Sequence, residues 1–236
     1  MFNQFLLQVS LAESGSVVEN VVSEEKTLTV WQLISSGGIG GGIIMLALLL
    51  LSILAVYIII ERYLFIKKAS KDDANFMNQI KDYILDGKID AAKSLCKQTD
   101  SPIAKMIEKG ISRIGKPLSD IGTAVETTAK LELNKLEKNL SVLATISGAA
   151  PMIGFLGTVI GMILVFHKMA SAGGNIDVEM LSEGIYTAMV TTVAGLIVGI
   201  VAYIGYNTLV AKMEKIVFVM EARTTEFLDI LHEPAA

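Results

Sequence analysis

Two stretches of the chain, residues 141–166 and 184–211, contain no Asp, Glu, Lys, Arg or His. Each is longer than the roughly 20 apolar residues a helix needs to cross a bilayer. A third apolar stretch, 43–60, would reach roughly 27 Å at about 1.5 Å per residue, enough to span once its flanks are included. With 52% hydrophobic and 19% charged residues in 236, and a mean hydropathy of +0.56, the composition lies outside that of a soluble domain. The expected class is an all-α integral membrane protein with three transmembrane helices.

Basic residues near span ends remain on the cytoplasmic side. Arg62, Lys67, Lys68 and Lys71 follow the first span, whereas Lys26 stands alone before it among Glu13, Glu19, Glu24 and Glu25. An N-out, C-in layout follows. It has a periplasmic segment 1–38, spans at 39–61, 141–167 and 184–211, a cytoplasmic region 62–140, a periplasmic loop 168–183 and a cytoplasmic tail 212–236. The opening residues Phe2 to Leu7 lack the basic start and long apolar core of a signal peptide and read better as an interfacial segment.

Punctuation divides the cytoplasmic region. Apolar residues at helical spacing mark 72–86, closed by Gly87; 90–98 forms a short second helix; Ser101 and Pro102 cap a third that runs to about Ile114. After Pro117 no breaker appears before Pro151, which predicts one continuous helix from about 119 to 166, with a kink at the proline. The third span likewise continues into a stripe of Met213, Ile216, Val217, Met220, Thr224, Phe227 and Leu231. Charges at 130–138 read as a solvated face with Glu–Lys pairing.

The spans themselves are not uniformly greasy. Ala150, Gly154, Gly157 and Gly161 share one face of the second span, and Ala188, Gly195, Gly199 and Ala202 one face of the third. Such rows let helices approach closely, within one chain or between copies. A single threonine in lipid usually bonds its own i−4 carbonyl and means little. Thr187, Thr191 and Thr192 together, with Thr158 beside the other row, suggest a polar patch near a pathway.

The strings GAAPMIGFLGTVIG at 148–161 and GIYTAMVTTVAG at 184–195, followed by Tyr206 and Asn207, resemble the paired hallmark segments of the MotA/TolQ/ExbB proton-channel family, most closely its ExbB/TolQ branch. The resemblance runs from about Leu28 onward and includes the Glu61–Arg62 pair that ends the first span. It implies a homopentamer enclosing the transmembrane helices of a smaller ExbD/TolR-like partner. Proton flow would then drive a TonB- or TolA-like protein across the periplasm. Carried over by position, Thr158 and Thr192 match family threonines that face the pore. Thr187 falls where many members have a glutamate, and Val201 stands near the place of a family proline.

With no ionisable side chain at the heart of its spans, such a subunit relies on a carboxylate from its partner. Two other readings stay open: a membrane scaffold that conducts nothing, and a Na⁺-driven stator resembling MotA. Enzymatic chemistry finds no support. Gly37 to Gly42 lack the strand and Lys-Ser/Thr of a phosphate loop, His167 and His232 are isolated, and the single cysteine, Cys96, excludes disulfides and a cysteine-rich metal site. No cofactor or metal is expected. At a net charge of −4, with no large basic patch, neither is a nucleic-acid partner.

Overall fold

The computed structural model describes residues 38–70, 74–171 and 178–232. Every regular element among them is a helix: α1 (Gly38–Ala69), α2 (Ala74–Leu85), α3 (Ile89–Gln98), α4 (Pro102–Ile111), α5 (Leu118–Glu137), α6 (Leu140–Ser171) and α7 (Val178–His232). The opening segment, Phe2 to Leu7, and residues 172–177 of the loop lie outside the described residues. Among the described residues three helical stretches are long and apolar enough to cross a membrane, in α1, in α5–α6 and in α7.

α6 and α7 form an antiparallel hairpin, and α1 lies against both. The pairing of Gly161 with Ala188, Gly154 with Gly195 and Pro151 with Gly199 sets the register. On α1 the buried edge is Ile44, Leu48, Ala55 and Ile58, while Leu46, Leu50, Ile53 and Leu54 point outward. A helix that is apolar all round suits a lipid-facing position.

The helix expected from 119 to 166 is not continuous. Lys138 turns to an extended conformation (φ −49°, ψ 134°) and Asn139 takes φ 65°, dividing it into α5 and α6. Asparagine is among the few non-glycine residues that enter the left-handed region readily, so this break carries its own sequence signal. Leu136 and Leu140, buried on either side, fix the turn to the core. Pro151, by contrast, lies inside α6, which continues through it.

α2, α4 and α5 pack against α7, and α3 packs on α2 and α4. Phe227 is fully buried, its ring against Gly110, where a Cβ would collide with it. Around it Met77, Ile80, Met106, Ile107 and Val125 close a dry core with Met220 and Ile216. α4 starts where Ser101 Oγ accepts the Ala104 amide at 3.1 Å with Pro102 in the first turn. Gly87 (φ 72°) and Gly115 (φ 95°) turn the chain after α2 and α4. The charged run of α5 is partly solvated, as in the exposed Glu126–Lys130 pair at 2.8 Å. Glu132 departs from that expectation. It is buried on the face that packs inward and is held by Lys105 at 3.5 Å and by Lys135.

Candidate functional site: a threonine cluster at the helix crossing

The crossing of α6 and α7 is set by what is missing from its side chains. A Cβ on Gly195 would sit 2.6 Å from the Ala150 carbonyl oxygen and 2.9 Å from the Gly154 Cα. One on Gly154 would meet the Thr191 carbonyl at 2.7 Å, and one on Gly199 the Pro151 Cδ at 2.7 Å. These neighbours are backbone or a rigid ring and cannot yield, so only glycine permits the approach. Ala150, Ala188 and Ala202 are almost fully buried, and Gly157 and Gly161 abut Thr191 and Ala188. Within one protomer, therefore, the two small-residue faces are largely occupied by each other or by α1.

That closeness brings three hydroxyls together. Thr123, Thr127, Thr128, Thr145 and Thr208 each donate to their own i−4 carbonyl, the local habit of threonine in a helix. Thr192 instead donates across the crossing to the Gly154 carbonyl at 3.1 Å. Thr191, buried, donates to the Ala188 carbonyl at 2.7 Å and lies 3.2 Å from that of Gly154. Thr158 reaches the Ala188 carbonyl at 3.4 Å, and its hydroxyl is in direct hydrogen-bond contact with that of Thr192. Two hydroxyls and two carbonyls, shared between helices, thus form one connected polar set with Thr191 behind them.

A hydroxyl donates one hydrogen and accepts others, so the Thr158–Thr192 pair can pass a hydrogen bond along by rotating. Both residues are half-buried, and the pair opens toward the protomer surface while Thr191 closes its inner side. Thr187 is half-buried about one turn earlier in α7. No Asp, Glu, Lys, Arg or His lies in 141–166 or 184–211, and among the described residues no group of His, Cys, Asp and Glu could hold a metal. The set can therefore orient water or a visiting acid but cannot itself carry a charge.

A second polar constellation gathers around Arg62, which the sequence marks only as one of the basic residues that orient the first span and as half of the Glu61–Arg62 pair that ends it. Its side chain is buried, with Nη2 on the Glu61 carboxylate at 2.7 Å and Nη1 donating to the Lys135 carbonyl at 3.2 Å. Tyr63, the next residue, lies under the Lys212 ammonium, 4.5 Å from its ring centre. The C-terminal end of α1 thus touches both α5 and α7. An arginine immediately after an acid at the close of an apolar run was the available signal.

Residues 98–222 match the family model of the MotA/TolQ/ExbB proton channel family. Among curated relatives, an ExbB homolog of Methanothermobacter thermautotrophicus, named for biopolymer transport, is 32% identical over 50% of this chain and 41% of its own length. An ExbB-like biopolymer transport protein of Synechocystis sp. is 29% identical over 72% of this chain and 68% of its own. The Tol-Pal system protein TolQ of Pseudomonas aeruginosa is 25% identical over 86% of this chain and 93% of its own. The first of these matches thus spans less than half of the relative. The family match includes both halves of the threonine crossing, and the chain belongs to the MotA/TolQ/ExbB proton channel family, in its ExbB/TolQ branch.

Proposed function

We propose that this chain is the multi-span subunit of a proton-driven motor of the bacterial inner membrane. It would assemble as a homopentamer around an ExbD/TolR-like helix and energise a TonB- or TolA-like protein for transport or envelope work. The observation that carries the reading is the Thr158–Thr192 pair, shared between two spans, half-open at the surface and surrounded by segments without a charge. A subunit so built must leave the ionising group to its partner. An aspartate on the partner helix takes a proton from the periplasmic side, becomes neutral, and passes the threonine ring before releasing it to the cytoplasm. Neutrality matters because a charged carboxylate at mid-bilayer costs about 2.5–3.5 kcal/mol.

Since the glycine and alanine faces hold α6 to α7, contacts with other copies and with lipid fall to outward residues such as Met152, Phe155, Ile197 and Tyr203. Thr187 then completes the hydroxyl lining toward the periplasmic end, in the place where relatives of this kind often carry glutamate. The chain acts as a channel and stator, without catalysis of its own.

Replacing Thr158 and Thr192 together with Val tests the proposal. Valine keeps the volume and removes both hydroxyls, so the hairpin should lose about 1 kcal/mol per bond while proton flux through the assembled complex falls about fivefold or more, the equivalent of one such bond lost at the barrier. Wild-type flux in the double variant would favour the scaffold reading. The hydroxyl and carbonyl oxygens are also hard donors suited to a small cation, so flux that followed external Na⁺ rather than the pH gradient would turn the assignment to a Na⁺-driven stator.

A further inference from the structure

We propose that Arg62 is a positioning residue that locks the joint between α5 and α6 and so holds the cytoplasmic helices in register with the threonine crossing; this rests on the channel reading given above. In a continuous helix the Lys135 carbonyl would accept the amide of Asn139. Asn139, turned to φ 65°, leaves the helical path at that point. The Lys135 carbonyl instead receives Arg62 Nη1 at 3.2 Å. A side chain from the first span thus fills the place of the missing helical bond, and the break in the long helix and the buried arginine are two halves of one feature.

Stability alone does not account for an arginine here. Its Nε has no hydrogen-bond partner, and replacing a buried ion pair with well-packed apolar residues is often neutral or stabilising. The guanidinium is instead suited to reaching two places at once: Glu61 on its own helix at 2.7 Å and the joint on another, with the Phe65 ring 5.3 Å away. A lysine in its place offers a single point charge and cannot span both. Because Tyr63 meets Lys212 on α7, the same turn of α1 touches both long helices where they leave their apolar segments. Loosening it would let α5 swing relative to α6 and move the cytoplasmic exit away from the Thr158–Thr192 pair.

Spin labels at Glu126→Cys and Phe155→Cys bracket the joint, and the native Cys96 is buried and can stay. In the full-length chain in nanodiscs, the wild-type label distances should form one narrow distribution. Arg62→Ala should broaden it, and so should Arg62→Lys to a smaller degree. Asn139→Ala disfavours the left-handed turn and attacks the joint from its other side; it should broaden the distribution as well, whereas Asn139→Gly, which accepts that turn, should not. The double variant Arg62→Ala, Asn139→Ala should be no broader than the worse single one. In complexes isolated from native membranes through this chain and placed in liposomes, proton uptake under an imposed pH gradient should drop about tenfold in Arg62→Ala, as expected for loss of about 1.4 kcal/mol of charge-assisted hydrogen bonding. A distribution in Arg62→Ala as narrow as wild type overturns the proposal, and so does a broadened one with unchanged uptake. Wild-type complexes that pass no protons would sink the channel reading and the positioning role with it, while a narrow distribution alongside normal wild-type uptake sinks the positioning role alone. If Arg62→Ala does not fold, Arg62→Lys and Asn139→Ala decide the question by the same two readouts.

Discussion

The α6–α7 crossing and the helical domain around Phe227 are both tightly packed, by opposite means. At the crossing, side chains are removed until backbones touch: Gly195 lies against Gly154, and Gly199 against Pro151. In the domain, large side chains fill the space, with Phe227, Met77, Met106 and Ile107 almost wholly enclosed. The difference follows from solvent. In water, burying large apolar groups is itself the driving force; in lipid that force is absent, and close van der Waals contact with shared hydrogen bonds must serve. One consequence is that polar function can sit in the lipid half at little cost in packing, because threonine is small enough to join a glycine row.

The sharpest way to break the comparison is to place bulk at the crossing. Gly195→Leu should destabilise the hairpin by more than about 3 kcal/mol, the upper part of the range for overpacking, because its neighbours are main-chain atoms. Gly148 is the control, since a Cβ there meets nothing within 4 Å. Gly148→Ala should stabilise α6 by about 0.5–1 kcal/mol through helix propensity. Thermal unfolding of both variants in detergent checks the pair. Equal tolerance at the two positions would show that the crossing is not backbone-tight.

Much of this division was legible beforehand. Charge-free runs disclosed the spans, and the spacing of Gly and Ala disclosed which faces carry small residues, because helical period alone decides those matters. What period cannot show is the partner each face meets. Ala150 to Gly161 could equally have faced another copy, and only the three-dimensional register sets Gly154 on Gly195. For the same reason Thr191 and Thr192, adjacent in sequence, differ in role: one is buried behind the pair and the other is half-open in it. The α5–α6 break was missed since asparagine is a far weaker punctuator than Gly or Pro, and its effect depends on Arg62, 77 positions earlier by the numbering. Burial of Glu132 was hidden likewise, because a charged run gives no sign of which member faces inward.

Cys96 sharpens the other side of the comparison. Burial, with a smaller contribution from the Glu108 charge, pushes its thiol up to about 12. A raised value favours the neutral thiol, so its contribution to stability is complete below the ordinary thiol range and is lost as pH rises through that range toward 12. Maleimide labelling of the folded chain at neutral pH should accordingly run about a thousandfold slower than in denaturant, as the thiolate fraction falls tenfold per pH unit. Rapid labelling would mean that the domain is open and not a dry core.

The smallest effect belongs to the rim of that domain. Asp100 bonds Lys68 at 2.7 Å and lies 3.6 Å from Lys105, and the Lys68 hydrogen bond, then the charges of both lysines, holds its carboxyl below the usual carboxylate range. A depressed value means a contribution present above the ordinary carboxylate pKa and lost as pH falls through the lowered one. Both partners are exposed, so the contribution is small and should fade at about 1 M salt, where screening acts over roughly 3 Å. Comparing thermal midpoints of wild type and Asp100→Asn between pH 6 and 3 isolates it: the two curves should converge at the acid end and, in high salt, throughout. The label distances across the α5–α6 joint should not respond to that salt, because Arg62 meets the Lys135 carbonyl away from water. If salt broadened them as readily as it erased the Asp100 difference, the joint would have to be counted with the solvated rim rather than with the packed interior.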